Sequence, residues 1–302
     1  MDKTPSKVQT ASTSHHGNRN HQRIHAKVRV EEAQKGMKLF DFLAEVIHPP
    51  VSKTLWKKCI EAGGVWQRLG KQKKRIKRVT TLINTGDHFE VYFDSNTLEI
   101  TKNSDPSVLL YHQQQISCWL KPHNMLTQDS PYGDQSSLFH YVSQKIHPTY
   151  LVHRLDRETE GLVLFAHSKE MAALCNTVFS EHLIQKYYYA LIVKKNPITA
   201  REIDEAIEGK KAITRLEIPD AAELEKLYNQ FPETQTFDAT WVKLLPLTGR
   251  KHQLRIHMQR LGRPLLHDPR YSRTHKKGQR LYLIAYALYS ERLHIDIDIF
   301  KL

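Results

Sequence analysis

The stretch YLVHRLDRETEGLVLFAHS, from Tyr150 to Ser168, sets several ionisable side chains directly against an apolar run. That run, from Leu162 to Ala166, has the length and composition of a buried strand. Charged side chains beside a buried strand are costly unless they are paired or take part in function. Loops held by rigid strands are also frequent positions of catalytic residues. The stretch therefore predicts a buried strand and, before it, a charged loop in which Asp156 is the first candidate for chemistry.

Asp156 lies between two arginines, Arg154 and Arg157. Nearby guanidinium groups favour the ionised form of a carboxylate. An ionised and oriented Asp can act as a nucleophile or as an electrostatic stabiliser. A structural ion pair that closes a turn would use the same residues, and these residues alone leave both interpretations open.

Composition restricts the classes of protein to be considered. The chain has 302 residues, of which 40% are hydrophobic, so it can bury a substantial core in two domains or one large one. Its net charge of +13 indicates a polyanionic partner, with a merely soluble basic surface as the alternative. Three widely spaced cysteines form no CxxC pair, which argues against a zinc ribbon and for a reducing compartment, the cytoplasm. No apolar run approaches the ~18 residues needed to span a bilayer, so no membrane association is expected.

The N-terminal part of the chain divides into a tail, a small module and a linker. Residues 1–25 are polar and almost free of apolar side chains, so they predict a disordered basic tail. Residues 26–94 predict a module with two helices, KLFDFLAEVI and TLWKKCIEAG, followed by a Gly-Asp turn and the alternating strand HFEVYFD. Residues 95–108, which contain Asn-Ser-Asp-Pro, predict a linker.

A concentrated run of positive charge lies inside this module. The segment GVWQRLGKQKKRIKR contains no acidic residue, and we interpret its residues 68–78 as a basic loop next to a lysine-bearing helix. A solvated charge run is the usual alternative. So many cations on one small module favour contacts with a nucleic-acid backbone. The residues expected to make these contacts are Lys57, Lys58, Lys73, Lys74, Arg75, Lys77 and Arg78.

Residues 109–302 mix strand and helix signals. Strand patterns are CWLKP, GLVLFA, YYYALIV, ATWVKLLP, LYLIAYALYS and LHIDIDIF, and helix patterns are SKEMAALCNTVFSEH and RKHQLRIHMQRLG. Strands outnumber helices and often follow one another directly, so we predict an α+β domain around a mostly antiparallel or mixed sheet. Neither a dinucleotide-binding fingerprint nor a P-loop occurs, so no nucleotide cofactor is indicated.

A second polar cluster follows a Thr-Gly turn near residue 249. On the predicted helix, His252, Arg255 and Gln259 share one face, which suits contacts with phosphate and bases. A solvent-exposed polar face is the ordinary alternative. Zinc binding by the histidines of this segment is not favoured, because their spacing matches no zinc motif.

Three consecutive tyrosines lie in the strand pattern LIQKYYYALIV. Side chains alternate between the two faces of a strand, so Tyr188 should point away from Tyr187 and Tyr189. Its ring either packs in a core or enters a cleft and stacks on a base. The strand pattern alone does not decide between these two interpretations.

Three motifs, HRLDRETEGLVLF (153–165), KYYYA (186–190) and TGRKHQLRIH (248–257), occur in this order. Together they resemble the RluA-type RNA pseudouridine synthases, and the resemblance covers the chain from about residue 109 onward. The order of helix, helix, basic loop and Gly-Asp strand in residues 26–94 resembles the S4 RNA-binding module. The resemblance implies a pseudouridine synthase catalytic domain, with a mixed or antiparallel sheet flanked by helices and loops, behind a small S4-like α/β module.

The family resemblance implies an isomerase that converts uridine in RNA to pseudouridine without a cofactor or a metal. It implies Asp156 as the nucleophile or stabiliser, Tyr188 as the residue that stacks on uracil and helps to remove the C5 proton, and Arg255 as the partner of Asp156. The expected partner is ribosomal RNA, or else transfer RNA, and the expected oligomeric state is a monomer. Residues expected to contact RNA at the cleft are His153, Arg154, Lys186, Arg250, His252 and Gln253.

Some positions depart from the family pattern. Glu160 replaces Ser, Asn124 and His267 replace Gly, and Ile284 replaces His. Asn is the non-Gly residue that best tolerates left-handed backbone. These changes leave the chemistry intact and put the RNA target in doubt.

Two other functions stay open. A non-catalytic RNA-binding or ribosome-assembly factor could use a synthase domain as a scaffold, although the joint presence of Asp156, Tyr188 and Arg255 argues against it. A nuclease or glycosidase could use Asp156 with Glu158 or Glu160, but it would need a second positioned carboxylate or a metal site. The sequence also leaves open whether Asp156 attacks the sugar carbon C1′ or the uracil carbon C6.

Overall fold

The computed structural model describes residues 22–95, 108–113, 115–133, 137–195, 201–273, 275 and 278–301. The chain divides into two compact units, of which the first consists of residues 1–105 and 128–141 and the second of residues 106–127 and 142–302. Most of the predicted linker (residues 96–107) and of the predicted tail (residues 1–21) lies outside the described residues. The first described strand begins at Arg23, before the predicted start of the module at Ala26.

The first unit is built on a four-stranded sheet. Its elements are β1 (Arg23–Arg29), α1 (Leu39–Val46), α2 (Lys53–Glu61), β2 (Val65–Leu69), β3 (Gln72–Ile76) and β4 (His88–Asp94). The strands are antiparallel in the order β1-β4-β2-β3. Both predicted helices are confirmed, and α1 buries Leu39, Phe42 and Leu43 of its predicted apolar face. At α2 the side chain of Ser52 caps the helix by accepting the N–H of Leu55.

The prediction of a basic loop at residues 68–78 is wrong, because most of this segment forms a β-hairpin. Strands β2 and β3 pair antiparallel with Arg68 opposite Lys73, and Gly70 occupies the turn with a φ of 62°. Glycine supplies the left-handed backbone of such a turn without steric cost. The lysines of β3 lie on an edge strand, where charge is common because it discourages pairing with other chains. The sequence prediction missed these two strands because the segment is so rich in positive charge.

The second unit is built on a ten-stranded sheet. Its strands are β5 (Leu109–Gln113), β6 (Ile116–Lys121), β7 (Tyr150–Leu151), β8 (Glu160–Ala166), β9 (Gln185–Val193), β10 (Glu202–Asp204), β11 (Ile213–Glu217), β12 (Ala239–Pro246), β13 (Leu283–Ser290) and β14 (Ile295–Asp298). The order is β10-β11-β12-β9-β13-β8-β6-β5, with β14 paired to β13 and β7 paired to β8. Strands β13 and β8 are parallel, and the other neighbours are antiparallel. This mixed sheet confirms the predicted α+β class.

The remaining helices are α3 (Leu138–Lys145), which spans the division between the units, and α4 (Lys169–Ser180), α5 (Ala221–Gln230) and α6 (Gln253–Arg260) of the second unit. Ser168 caps α4 by accepting the N–H of Met171. Cys175 of α4 belongs to a buried cluster with residues of β8, whereas Leu254 and Met258 of α6 pack with residues of β9 and β12. This packing fixes the segments that carry the charged motifs. No helix within the described ranges combines the length and the apolar character that crossing a bilayer requires.

One glycine fixes the point where the charged loop meets the sheet. Gly161 has a φ of 124° and lies in β8 opposite Ala285 of the parallel strand β13. A Cβ atom at this position would lie 2.2 Å from the carbonyl oxygen of Ala285. The close approach of the two strands therefore requires glycine, and it anchors the loop that carries Asp156 beside β13.

Candidate active site

A cavity of about 640 Å³ in the second unit collects most of the predicted site residues. Volumes of this order are typical of small-molecule pockets. The walls come from the loop before β8, from β9 and from the segment that leads into α6. Predicted residues on these walls are His153, Arg154, Asp156, Lys186, Tyr188, Arg250, His252, Gln253 and Arg255. The predicted RNA-contact residues of α2 and of the hairpin belong to the first unit.

Asp156 presents its carboxylate to this cavity while the protein holds one of its oxygen atoms. Oδ2 lies 3.3 Å from Nη1 of Arg255 and 3.7 Å from Nε2 of His252. The backbone carbonyl of Asp156 accepts the N–H of Thr159, which closes the loop into a turn. The Asp156 side chain is 30% exposed, so a ligand can reach it. The predicted ion pair with Arg255 is present, and a carboxylate that is both paired and accessible can act on a bound ligand.

Arg255 is the buried cation of the site. Its side chain is 1% exposed, and its Nη1 lies 3.3 Å from both Asp156 and Glu158. Its Nε and Nη2 donate to the two carboxylate oxygens of Asp268, at 2.7 and 2.9 Å. Burial opposes the charged form, but the hydrogen bonds to Asp268 and the neighbouring carboxylates outweigh it and raise the pKa of Arg255 above its usual value. Three carboxylates thus hold one permanently charged guanidinium.

Asp268 is a site residue that the motif pattern did not indicate. It is fully buried, and besides Arg255 it binds the backbone N–H groups of Arg270 and Tyr271, at 2.8 and 3.0 Å. Burial would raise the pKa of Asp268, yet the guanidinium of Arg255 and these two N–H groups hold it below its usual range. One feature of the sequence could have indicated Asp268, because it is the only acid in the basic segment RPLLHDPRYS. A buried arginine requires a counter-charge, which such an acid can supply.

The prediction that His252 shares a helix face with Arg255 and Gln259 is wrong, because α6 begins only at Gln253. His252 precedes the helix with a left-handed φ of 54°. Its Nδ1 lies 2.9 Å from the hydroxyl of Tyr271, and its Nε2 faces Asp156. Burial is the main cause that lowers the pKa of His252, so the ring is neutral at pH 7. When the tyrosine hydroxyl donates to Nδ1, the ring carries its proton on Nε2, directed at the carboxylate.

Tyr188 lines the cavity from β9. Its neighbours lie on the other face of the strand, where the rings of Tyr189 and Tyr286 stack with centroids 4.0 Å apart and Tyr187 packs against them. The predicted alternation of the three tyrosines is therefore confirmed. Burial raises the pKa of Tyr188, and the charge of Asp156 raises it further, so the resting phenol is protonated.

His153 and Gln253 use their polar atoms within the protein. His153 accepts the N–H of Leu164 at Nε2, and burial lowers its pKa to about 3. Gln253 donates to the carbonyl of Ile213, and its amide oxygen accepts the hydroxyl hydrogen of Thr248. Both side chains shape the wall of the cavity, and contact between them and RNA stays a prediction.

Arg154, Lys186 and Arg250 supply positive charge around the cavity. Arg154 is exposed, whereas Lys186 is half-buried, and burial lowers its pKa. Nε of Arg250 donates to the carbonyl of Lys211 at 2.9 Å, which orients the guanidinium. Cations of this kind suit the binding of phosphate groups on either side of a bound nucleoside.

Lys121 is a buried lysine that ties two loops of the site together. Its Nζ donates to the carbonyls of Pro122, Met125 and Arg157, at 3.0, 2.7 and 3.2 Å. The lysine thereby connects the turn after β6 to the loop that carries Asp156. Burial lowers the pKa of Lys121 from 10.5 to about 7, although the charges of nearby carboxylates oppose this shift.

We expect Lys121 to make the protein more stable as the pH rises from 7 to 9. In this interval the unfolded chain keeps its proton on the lysine whereas the folded chain releases it, so the free energy of unfolding increases with pH. With a folded-state pKa of about 7, the increase is ~2 kcal/mol. Chemical unfolding of the wild type and of Lys121→Met at both pH values measures it, and the variant should lack the rise. Identical pH dependence in the two proteins would show that Lys121 remains charged in the fold.

Three of the four departures from the family pattern, at Glu160, Asn124 and His267, can be described from the structure. Glu160 forms an ion pair with Arg280. The left-handed backbone expected at Asn124 is confirmed by its φ of 65°, and His267 has a similar φ of 60°. Neither Glu158 nor Glu160 lines the cavity that holds Asp156, so neither supplies there the second carboxylate that a glycosidase needs.

Comparison with known proteins assigns a family to this arrangement. Residues 115–260 match the family described as RNA pseudouridylate synthase. The tRNA pseudouridine synthase C of Haemophilus ducreyi is 33% identical over 56% of this chain and 75% of its own length. The ribosomal large subunit pseudouridine synthase C of Rickettsia typhi is 28% identical over 66% of this chain and 68% of its own length. The dual-specificity RNA pseudouridine synthase RluA of Vibrio cholerae is 28% identical over 58% of this chain and 72% of its own length. The chain therefore belongs to the RNA pseudouridylate synthase family and carries an RluA-type synthase domain.

Proposed function

We propose that this enzyme isomerises uridine in ribosomal RNA, or else in transfer RNA, with Asp156 as nucleophile or stabiliser, Tyr188 as the stacking residue and Arg255 as the partner of Asp156. One observation carries the proposal: the Asp156 carboxylate is open to the cavity on one side and held by Arg255 at 3.3 Å on the other. Relatives named for each kind of RNA support the choice of substrate.

The cavity has room for one nucleotide that has left its stack. A base that undergoes chemistry is extruded from the RNA, because its reacting atoms are otherwise hidden by stacking. In the proposed complex the uridine enters the cavity, and its flanking phosphates meet the cations of Arg154, Lys186 and Arg250. Asp156 then lies within reach of the sugar and the ring.

The isomerisation breaks the N1–C1′ bond, turns the uracil and rejoins it to C1′ through C5. The C5 proton leaves and N1 takes up a proton from solvent. The reactant and the product have the same composition, so the reaction needs no electron acceptor and no external group. In this proposal the ionised carboxylate of Asp156 takes one of two routes. It displaces uracil N1 from C1′ and is later displaced by C5, or it adds to C6 of the ring and is eliminated again before the product leaves. Nη1 of Arg255, 3.3 Å from Oδ2, holds that carboxylate in place.

Tyr188 has two roles in the proposal. Its neutral phenol stacks on the uncharged uracil while Asp156 is ionised. Once Asp156 has formed a covalent bond its negative charge is lost, and one of the two causes that raise the pKa of Tyr188 disappears. This change makes it easier for the phenol to lose its proton. The phenol must lose this proton before it can act as the base that accepts the C5 proton.

For the N-terminal residues we propose an S4-like RNA-binding module at 26–94, followed by a catalytic domain at 109–302. The exposed cations of the hairpin support RNA binding by the module.

We further propose that the enzyme is a monomer in the cytoplasm. The thiols of Cys59, Cys118 and Cys175 are free and buried, which agrees with a reducing compartment.

Release of tritium from RNA that carries 5-³H-uridine tests the proposed function, because isomerisation must free the C5 proton. Transcripts of ribosomal RNA and of transfer RNA made in vitro contain no pseudouridine and serve as separate substrates. We expect release from the ribosomal transcripts. Release from transfer RNA alone would assign the enzyme to that substrate, whereas no release from either would contradict the proposal and favour the non-catalytic scaffold.

A further inference from the structure

One face of the four-stranded sheet in the first unit is rich in positive charge. Side chains alternate along a strand, so β1 buries Ile24, Ala26 and Val28 on one face and directs every second residue to the other. Strand register then brings the outward residues of all four strands together on a single face. The cations of this face are Arg23, Lys27, Arg29, Arg68, Lys73 and Arg75.

Aromatic rings occupy part of this face and already have partners inside the first unit. Tyr92 meets Tyr132 edge-on, with ring centroids 5.5 Å apart. Trp66 donates its Nε1 hydrogen to the carbonyl of Pro131, and the guanidinium of Arg75 lies 4.2 Å from its ring centroid. These rings therefore offer little free surface on which a base could stack.

The rest of the face is open and positively charged. Lys27, Arg29, Arg68 and Lys73 are exposed, and we call these four residues the cationic sheet patch. Two acids of the neighbouring strand β4 share this face. Glu90 is buried and accepts a hydrogen bond from Lys73, and Asp94 lies 3.9 Å from Arg23, which is not part of the patch. The other three cations form no ion pair with any described residue.

The helices of the same unit offer fewer available cations. Lys53 pairs with Asp41 at 2.6 Å, and Nζ of Lys57 lies 4.5 Å from the ring centroid of Phe40. Lys58 is half-buried. A lysine that already contacts an acid or an aromatic ring must weaken or break that contact in order to bind phosphate. Most residues of the cationic sheet patch have no such contact to break.

We propose that the cationic sheet patch binds phosphates of the RNA backbone outside the target nucleotide, without reading the bases. The inference rests on the proposed function, which makes RNA the substrate. Lys27 and Arg29 are two residues apart on one strand, which places them roughly 6.6–6.8 Å apart, and adjacent strands are about 4.8 Å apart. The patch thus presents spaced cations on a rigid sheet, and this arrangement suits a charged backbone whatever its sequence.

A triple variant, Lys27→Gln with Arg29→Gln and Arg68→Gln, tests the patch in the full-length enzyme. Its affinity for a fluorescein-labelled RNA stem-loop is measured by anisotropy over a series of salt concentrations. Each phosphate contact contributes about 0.7–0.9 to the slope of log affinity against log salt, so we expect the slope to fall by about 2. Tritium release at saturating RNA should keep its wild-type rate, because the cavity residues are unchanged.

A matched control removes the same charge from exposed positions of the second unit, by Lys169→Gln with Lys195→Gln and Arg292→Gln. The control should keep the wild-type slope. A wild-type slope in the sheet variant, or an equal fall in the control, overturns the proposal.

A second variant separates lost charge from lost structure. Lys27→Arg with Arg29→Lys and Arg68→Lys retains every charge and should keep the wild-type slope, and thermal melting verifies that all variants fold. If this variant folds but its slope of log affinity against log salt falls, charge is not the cause and the proposal fails. A wild type that releases no tritium from either kind of transcript contradicts the proposed function, while the salt slopes still decide the role of the patch.

Discussion

Replacing Asp156 by asparagine is expected to lower the rate of tritium release by roughly 10⁴-fold or more, as the loss of a nucleophile does in other enzymes. Asparagine has almost the same shape and volume, so the cavity and the RNA affinity should change little. It lacks the negative charge that attacks C1′ or C6 in the proposed mechanism, and Arg255 retains Asp268 and Glu158 as partners. Single-turnover tritium release measures the rate, and filter binding at equilibrium measures the affinity.

Glu158→Gln is the matched control for this variant. The two carboxylates contact the same guanidinium nitrogen at the same distance of 3.3 Å, so both substitutions remove one negative charge from Arg255. We expect the control to slow the reaction by no more than about tenfold. Equal losses in the two variants would mean that Asp156 serves only as a counter-charge and that the nucleophile lies elsewhere.

Asp268→Ala is expected to lower the free energy of unfolding by about 3–5 kcal/mol and to reduce the rate of isomerisation as well. The substitution leaves the buried guanidinium of Arg255 without its two shortest hydrogen bonds and frees the backbone N–H of Tyr271. Arg255 and His252 would then position Asp156 less well. Denaturant unfolding followed by tryptophan fluorescence measures stability, and single-turnover assays at saturating RNA measure the rate.

Glu202→Ala supplies the comparison for Asp268→Ala. It breaks the ion pair between Glu202 and Arg215, whose side chains are 47% and 58% exposed. Exposed pairs contribute roughly 0–1 kcal/mol, so this variant should stay close to the wild type in stability and in rate. Losses of similar size in the two variants would show that Arg255 is adequately held by Asp156 and Glu158 alone.

Elements with a regular spacing of apolar residues were predictable from the sequence. Strand β8 follows from its unbroken apolar run, and α1 follows from apolar residues repeated at helical intervals. The hairpin of β2 and β3 was missed because its second strand is rich in lysine and lies at an edge, where no apolar alternation is required. The start of α6 was also missed, because the left-handed backbone of His252 has no local sequence signature.

The site was predictable where a short motif contains the residue. Asp156, Tyr188 and Arg255 each lie in such a motif, and all three line one cavity. Asp268 and Lys121 were not predicted, because only the folded chain shows that they are buried. Asp268 meets Arg255 from 13 positions away, and Lys121 contacts a carbonyl 36 positions away. Long-range contacts of this kind leave no periodic pattern in the sequence.

The cluster around Arg255 contains more negative than positive charge. Asp156, Glu158 and Asp268 share its single guanidinium, and the neighbouring His252 is neutral. A phosphate group that approached this cluster would be repelled, whereas the cations elsewhere around the cavity attract it. In the proposed complex we therefore expect a nucleotide to enter with its uncharged base and sugar leading and its phosphates trailing. The charges that hold Asp156 would then also select the orientation of the bound nucleotide, by disfavouring phosphate-first binding before any chemistry begins.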